Sequence, residues 1–314
     1  MTDGRIPPGA RPLEAAVYHA APGMTRHLLA ELGEWDRQDG DLLLRSGPVL
    51  PARWVRNIWT RPFLLEFMSL GEAAAALRSV QRNWAPCPAR LFRRTALLAE
   101  KLPPLPSKPK VFPFDPPSAP MGAFTLLDEG LLLGSADCSN PFPNGELRFE
   151  EDTEGPPSRA YRKLWEALVL AGKRPGPGDC CLDAGASPGG WTWALAGLGA
   201  SVLAVDRAPL EPRIAALPGV EFRKGSAFSL RPEDSDPVDW LCSDVICYPP
   251  VLYEWVEKWL DSGRARNFIC TIKMQGEEYD RATTERFAAV PGSRVVHLWH
   301  NKHELTWIKV DGGL

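Results

Sequence analysis

In the second half of the chain, apolar residues come in short runs that end on an acid, a lysine or a small residue. Runs at 180–184, 201–205, 220–224, 239–243, 267–272, 293–298 and 304–310 predict strands. Between several of them the apolar positions shift to helical spacing, at 190–198, 251–262 and 277–289. Such alternation predicts an α/β domain with a mostly parallel, doubly wound, Rossmann-like sheet. Only His300-Asn-Lys-His303 separates the last two runs, which predicts an antiparallel hairpin at the sheet edge. Ahead of the first strand, Ser158 reads as the N-cap of a helix over 159–171 that Gly172 stops.

The first half follows a different pattern. A short apolar run at 14–21, a Pro22-Gly23 turn and helical spacing at 25–32 predict strand, turn and helix. Residues 42–45 read as a strand and the Ala-rich stretch 71–84 as a helix. Runs at 123–127 and 130–134, joined by Asp128-Glu129, read as a hairpin. Eight prolines in the eighteen positions 103–120 cannot feed a regular ladder and predict an extended connector. Residues 150–157 are an acidic, breaker-rich linker. We therefore expect a smaller N-terminal α+β domain over 11–150 and a catalytic-type domain over 158–314.

Composition narrows the class. Hydrophobic content of 44% and charged content of 24% are those of a soluble globular protein. No apolar run approaches the ~20 residues of a membrane span. The opening Met1-Thr-Asp-Gly-Arg-Ile-Pro-Pro has no charged region followed by an apolar one, so a cytoplasmic protein without a membrane partner is expected. The seven cysteines (Cys87, Cys138, Cys180, Cys181, Cys242, Cys247 and Cys270) have apolar neighbours and read as buried small hydrophobes in a reducing compartment. They form no C-x-x-C pair, and His297, His300 and His303 read as loop polar groups, so no metal is expected.

The net charge of −3 hides an asymmetry. Residues 51–110 hold eleven Lys/Arg against three acids, which suggests that one face meets a polyanion. Aromatics interleave there, from Trp54 and Trp59 to Phe63, Trp84 and Phe92. They suit either base stacking or a domain core, and both readings stay open. For the arginines we expect RNA contact, with Arg90, Arg93 and Arg94 as candidates.

The densest chemistry lies at Asp183-Ala-Gly-Ala-Ser-Pro-Gly-Gly-Trp191, followed by the strand that ends at Asp206. Glycine lets a ligand approach the backbone, and an acid after the second strand suits a ribose diol. The spacing is not G-x-G-x-x-G, and no pyrophosphate cradle is evident. S-adenosylmethionine (SAM), an adenosine carrier without phosphates, fits better than NAD. Candidate cofactor contacts are Asp183, Gly185, Ala186, Ser187, Pro188, Gly189, Gly190, Trp191, Asp206, Ser226, Ala227 and Asp244.

Four further residues stand out: Lys163 on the helix before the first strand, Asp244 and Lys273 at strand ends, and Glu304 at the start of the last strand. Open α/β sheets bind ligands beyond their strand C-termini, so Asp244 and Lys273 can share one crevice. A hydroxyl is a poor nucleophile until it loses its proton. A lysine can take that proton only if desolvation or a nearby cation weakens its hold on its own. Lys163 would be that cation beside Lys273, with Asp244 and Glu304 orienting the ammonium groups.

The string 183–191 and the order Lys163, Asp244, Lys273, Glu304 resemble the FtsJ-like ribose 2′-O-methyltransferases. The resemblance implies SAM as cofactor and those four residues as the catalytic tetrad. Segments 134–142, 157–168 and 298–306 are similar to the branch that methylates a cytidine ribose of large-subunit ribosomal RNA. That branch carries an RNA-binding THUMP-containing region ahead of its catalytic domain, and residues 11–135 stand in its place but are short for it. Family members usually carry an acid after the third strand, where this chain has Ser226. The expectation is thus SAM-dependent 2′-O-methylation of structured RNA. Two alternatives stay open: a methyltransferase for a small molecule or protein, and an RNA-binding protein with a degenerate catalytic fold.

Overall fold

The computed structural model describes residues 6–313. The chain divides into two compact units. The first comprises residues up to Lys110 and Pro116–Arg148; the second comprises Val111–Asp115 and Phe149 onward.

The first unit holds strands β1 (Arg11–Pro12), β2 (Ala15–Ala20), β3 (Arg37–Asp39), β4 (Leu42–Ser46), β5 (Val55–Trp59), β6 (Pro62–Glu66), β7 (Trp84–Pro86), β8 (Gly122–Asp128) and β9 (Leu131–Ser135). Its helices are α1 (Thr25–Leu32), α2 (Leu70–Val80) and α3 (Phe92–Ala99). One sheet runs β1-β6-β9-β8-β7 and a second runs β3-β4-β2-β5. Phe63, Leu77, Trp84, Leu98, Phe124 and Leu132 form a core between α2, α3 and the first sheet. Val17, Trp59, Cys87 and Leu133 bring the two sheets of this unit together.

Several expectations change here. Residues 55–59 and 62–66, inside the basic segment 51–110, are strands in which Asn57, Ile58, Trp59, Pro62, Phe63 and Leu65 are buried. Trp54, Trp59, Phe63 and Trp84 are core residues; of the aromatics named above, Phe92 alone is exposed. The helix at 71–84 ends at Val80, and Trp84 starts a strand. Apolar burial decides these places, because a tryptophan ring gains more from a core than from a solvated surface. The cysteines are not uniformly buried: Cys180 is exposed, and Cys138 and Cys247 are half-buried.

The second unit is a seven-stranded sheet. Its strands are β10 (Cys180–Ala184), β11 (Ser201–Asp206), β12 (Val220–Lys224), β13 (Val238–Ser243), β14 (Ala265–Lys273), β15 (Ser293–Val296) and β16 (Glu304–Lys309). Its helices are α4 (Tyr161–Ala171), α5 (Gly190–Gly197), α6 (Pro212–Ala215), α7 (Pro249–Ser262) and α8 (Arg281–Ala288). Strand order is β12-β11-β10-β13-β14-β16-β15. The first five of these are parallel; β16 pairs antiparallel with β14, and β15 pairs antiparallel with β16. This is the predicted Rossmann-like sheet with its terminal hairpin. Within this unit, Phe112 stacks on Trp165 at 4.6 Å.

Helix α4 begins at Tyr161, two residues later than the Ser158 cap predicts, and Ser158 Oγ accepts the Ala160 amide at 3.4 Å. Gly172 closes the helix in the left-handed region, as its sequence position predicts. No helix among the described residues is long and apolar enough to cross a membrane.

Candidate active site

Parallel strands deliver their C-terminal ends to one edge of the sheet. Asp183 lies near the end of β10, Asp206 ends β11, Asp244 follows β13 and Lys273 ends β14. Because β16 is antiparallel, its first residue arrives at the same edge, and Glu304 pairs in register with Lys273. Lys163 reaches this edge from the first turn of α4.

The four predicted catalytic side chains meet. Lys163 Nζ lies 2.7 and 2.9 Å from the two Asp244 carboxylate oxygens and 3.0 Å from Glu304 Oε1. Lys273 Nζ donates to the Asp244 carbonyl at 2.6 Å and lies 3.2 Å from Asp244 Oδ1. Burial alone would push Lys163 down, but the Asp244 and Glu304 carboxylates outweigh it and hold Lys163 above its ordinary value. Lys163 is thus a fixed cation wedged between two acids.

A cleft of about 490 Å³ opens beside this cluster, a size typical of small-ligand sites. Asp244 and Lys273 line it. So do Asp183, Gly185, Ala186, Ser187, Pro188, Gly190, Trp191, Asp206, Ser226 and Ala227. Gly189 does not. Its φ is +115°, and a Cβ there would lie 2.7 Å from Ile214, so this glycine serves the turn and its packing. Arg207, Phe228, Val245 and Ile246 also line the cleft and carry no motif that would have marked them, and Ser158, read as a helix cap, lines it too. Asp206 Oδ2 accepts the Ser187 amide at 3.0 Å and so ties the glycine-rich loop to the end of β11. The Asp206 and Asp244 carboxylates on the cleft suit a ligand that carries positive charge. The free oxygen lone pairs of Asp206 suit a ribose diol.

Glu166 escaped the sequence reading. It is buried on α4, one turn after Lys163, and accepts the Trp299 amide at 2.7 Å and the His300 amide at 3.1 Å. His300 Nδ1 also lies 2.6 Å from Glu166. Glu166 thereby fixes the loop that leads into Glu304. The signal was an acid on the apolar face of an amphipathic helix. Among the described residues no cluster of three or more His, Cys, Asp or Glu side chains is placed to hold a metal.

The RNA candidates lie in the first unit. Arg90 pairs with Asp39, and Arg94 donates to the Glu129 carbonyl at 2.9 Å. Arg93 is exposed. Nearby arginines of the same basic stretch are also paired: Arg53 with Glu31, Arg56 with Glu146 and Arg61 with Asp137.

Residues 156–275 match the family described as FtsJ-like methyltransferase. The matched residues lie within the second unit. Among curated relatives, the "Ribosomal RNA large subunit methyltransferase M" of Halorhodospira halophila is 38% identical over 172 residues, 52% of this chain and 50% of that protein. The protein of the same name from an Azoarcus species is 32% identical over 203 residues, 58% of this chain and 53% of its own length. The chain spans about half the length of the curated relatives it matches.

Two outcomes are expected. Gly189→Ala should cost roughly 1–3 kcal/mol of stability through backbone strain and the Ile214 clash, read from urea unfolding. An unchanged midpoint would show that the turn relaxes freely. Burial pushes Asp183 up to about 7, against the pull of its Thr192 hydrogen bond and with help from the Asp244 charge. The ordinary value in an unfolded chain is 3.8, so the folded state holds this proton more tightly. That contribution is fully present below about pH 4 and is lost as pH rises through about 7. Asp183→Asn should therefore flatten the fall in stability across that window; an equal fall in both proteins would remove Asp183 as its source.

Proposed function

We propose that this protein transfers a methyl group from SAM to a ribose 2′-hydroxyl of RNA, with large-subunit ribosomal RNA as substrate, in the cytoplasm. The observation that carries the reading is the convergence of Lys163, Asp244, Lys273 and Glu304 at the mouth of a carboxylate-lined cleft. The names of the relatives support the substrate class.

The cleft fits the cofactor on its own chemistry. Asp206 can accept a ribose diol, and the loop 185–191 can approach an adenosyl group closely. The segment 226–228 stands where an acid is usual, so an adenine there would be met by Ser226, Ala227 and Phe228. When bound, SAM supplies a methyl group on a sulfonium, already electrophilic.

The protein's task is to position a hydroxyl and remove its proton. Lys273 is the base: it lines the cleft, and as a neutral amine it can give its two N–H bonds to Asp244, which leaves its lone pair to take the proton of a substrate hydroxyl. Lys163, held charged by two acids, fixes Asp244 so that Asp244 can orient Lys273. In-line positioning accounts for a large part of such a barrier.

Lys273→Ala should keep SAM affinity by calorimetry and lose roughly 10²–10⁴-fold in tritiated methyl transfer to unmodified ribosomal RNA. Lys273→Arg should fail equally, because a guanidinium keeps its proton. An active Lys273→Arg enzyme would take the base role away from this residue. For the RNA partner, Arg93 is the cleanest probe, since reversing Arg90 or Arg94 also breaks an internal contact. Arg93→Glu should weaken binding of ribosomal RNA and reduce its salt slope by roughly one phosphate contact. An identical salt slope would make Arg93 plain solvated surface.

A further inference from the structure

Few large apolar side chains of the second unit are exposed. Among its described residues the exposed ones are Val111, Ile246, Tyr248 and Val251. Three of these four fall between positions 246 and 251, immediately after Asp244. Ile246 is 78% exposed, Tyr248 67% and Val251 45%.

The backbone beneath them is fixed. Lys273 holds the Asp244 carbonyl at 2.6 Å, and Gln275 Nε2 donates to the Cys247 carbonyl at 3.1 Å. Val245 presses so closely on Gly185 that a Cβ there would lie 2.7 Å from it. Tyr248 then caps α7 with extended backbone, followed at once by Pro249 and Pro250. Bare apolar groups on a tied-down loop mark a surface that something covers.

The patch is continuous with the cleft, because Ile246 lines it together with Asp244 and Lys273. Three side chains fall far short of the roughly 800 Å² per partner of a stable protein interface. A single flat ring system matches the scale. A phenol ring offers one face to a base, and unpaired RNA bases stack on such rings.

We propose that Ile246 and Tyr248 form a stacking platform for the base of the nucleotide whose ribose meets Lys273. The proposal rests on RNA being the substrate. It explains why hydrophobic surface stays exposed beside the most polar cluster of the unit. A base seated on Tyr248 would hold its own ribose in reach of the lysine, and stacking tolerates any base, so the platform positions more than it selects.

The test uses the full chain with S-adenosylhomocysteine and a single-stranded RNA heptamer carrying 2-aminopurine at its centre. Binding should quench the fluorescence in the wild type. Tyr248→Ala should lose the quench and weaken binding roughly tenfold, while Tyr248→Phe retains both. S-adenosylhomocysteine affinity should be equal in all three proteins, which establishes that the variants are folded. A quench that persists in Tyr248→Ala, or is absent from the wild type, overturns the platform. Dimerisation that Tyr248→Ala abolishes would give the patch to a second copy and overturn it too. A Tyr248-dependent quench in a protein that transfers no methyl to ribosomal RNA would keep the platform and overturn the methyl-transfer reading instead.

Discussion

Two lysines share one carboxylate, and the second unit is arranged around that fact. Asp244 Oδ1 lies 2.7 Å from Lys163 and 3.2 Å from Lys273. The four side chains of the cluster are only 10–18% exposed, so none is solvated well enough to stand alone. Buried charge is tolerable when paired and strongly destabilising when one partner is removed. The cluster therefore requires α4, the end of β13, the end of β14 and the start of β16 to arrive together. Its members are spread over 141 positions of the chain, so only the completed sheet can assemble it.

The topology answers that requirement. Parallel β10, β13 and β14 bring their C-terminal ends to one edge, and an antiparallel β16 is the arrangement that brings a strand start there. Register matters as much as direction. Lys273 faces Glu304 across the β14–β16 ladder, and a one-residue slip would turn Glu304 to the opposite face of the sheet. The buried Glu166 supports that register from outside the ladder by holding the Trp299 and His300 amides. An acid outside the cluster thus helps to place one within it.

The site was more legible in the sequence than the first unit was. Strand-end acids and lysines stand out because apolar runs frame them, and the rule that ligands bind beyond strand C-termini turns that frame into a crevice. Glu166 was hidden because its partners are backbone amides, and amides leave no trace in a sequence. Ser158 looked like a cap, yet the helix starts at Tyr161 and Ser158 lines the cleft instead. In the first unit, tryptophans among arginines fit two physical outcomes equally. Burial of Trp54, Trp59 and Trp84 decided for the core, and Glu31, Asp137 and Asp39 neutralise arginines that looked like an open basic face. Charge counted along a chain does not reveal which charges are already paired.

Under the proposed function the two lysines take two roles, and their surroundings differ accordingly. Lys163 makes three contacts to two carboxylates, does not line the cleft, and is held in its charged form. Lys273 touches the Asp244 carbonyl and, at 3.2 Å, the same Asp244 Oδ1 that Lys163 holds at 2.7 Å, and it lines the cleft. A group that must exchange a proton with substrate needs an open direction; a group that must hold a carboxylate still needs none. The difference follows from which element each occupies: a helix turn packed on the sheet for Lys163, a strand terminus at its edge for Lys273. Interchanging their surroundings would leave a saturated lysine at the cleft and an open one buried, so the fold distinguishes the two lysines before any ligand arrives.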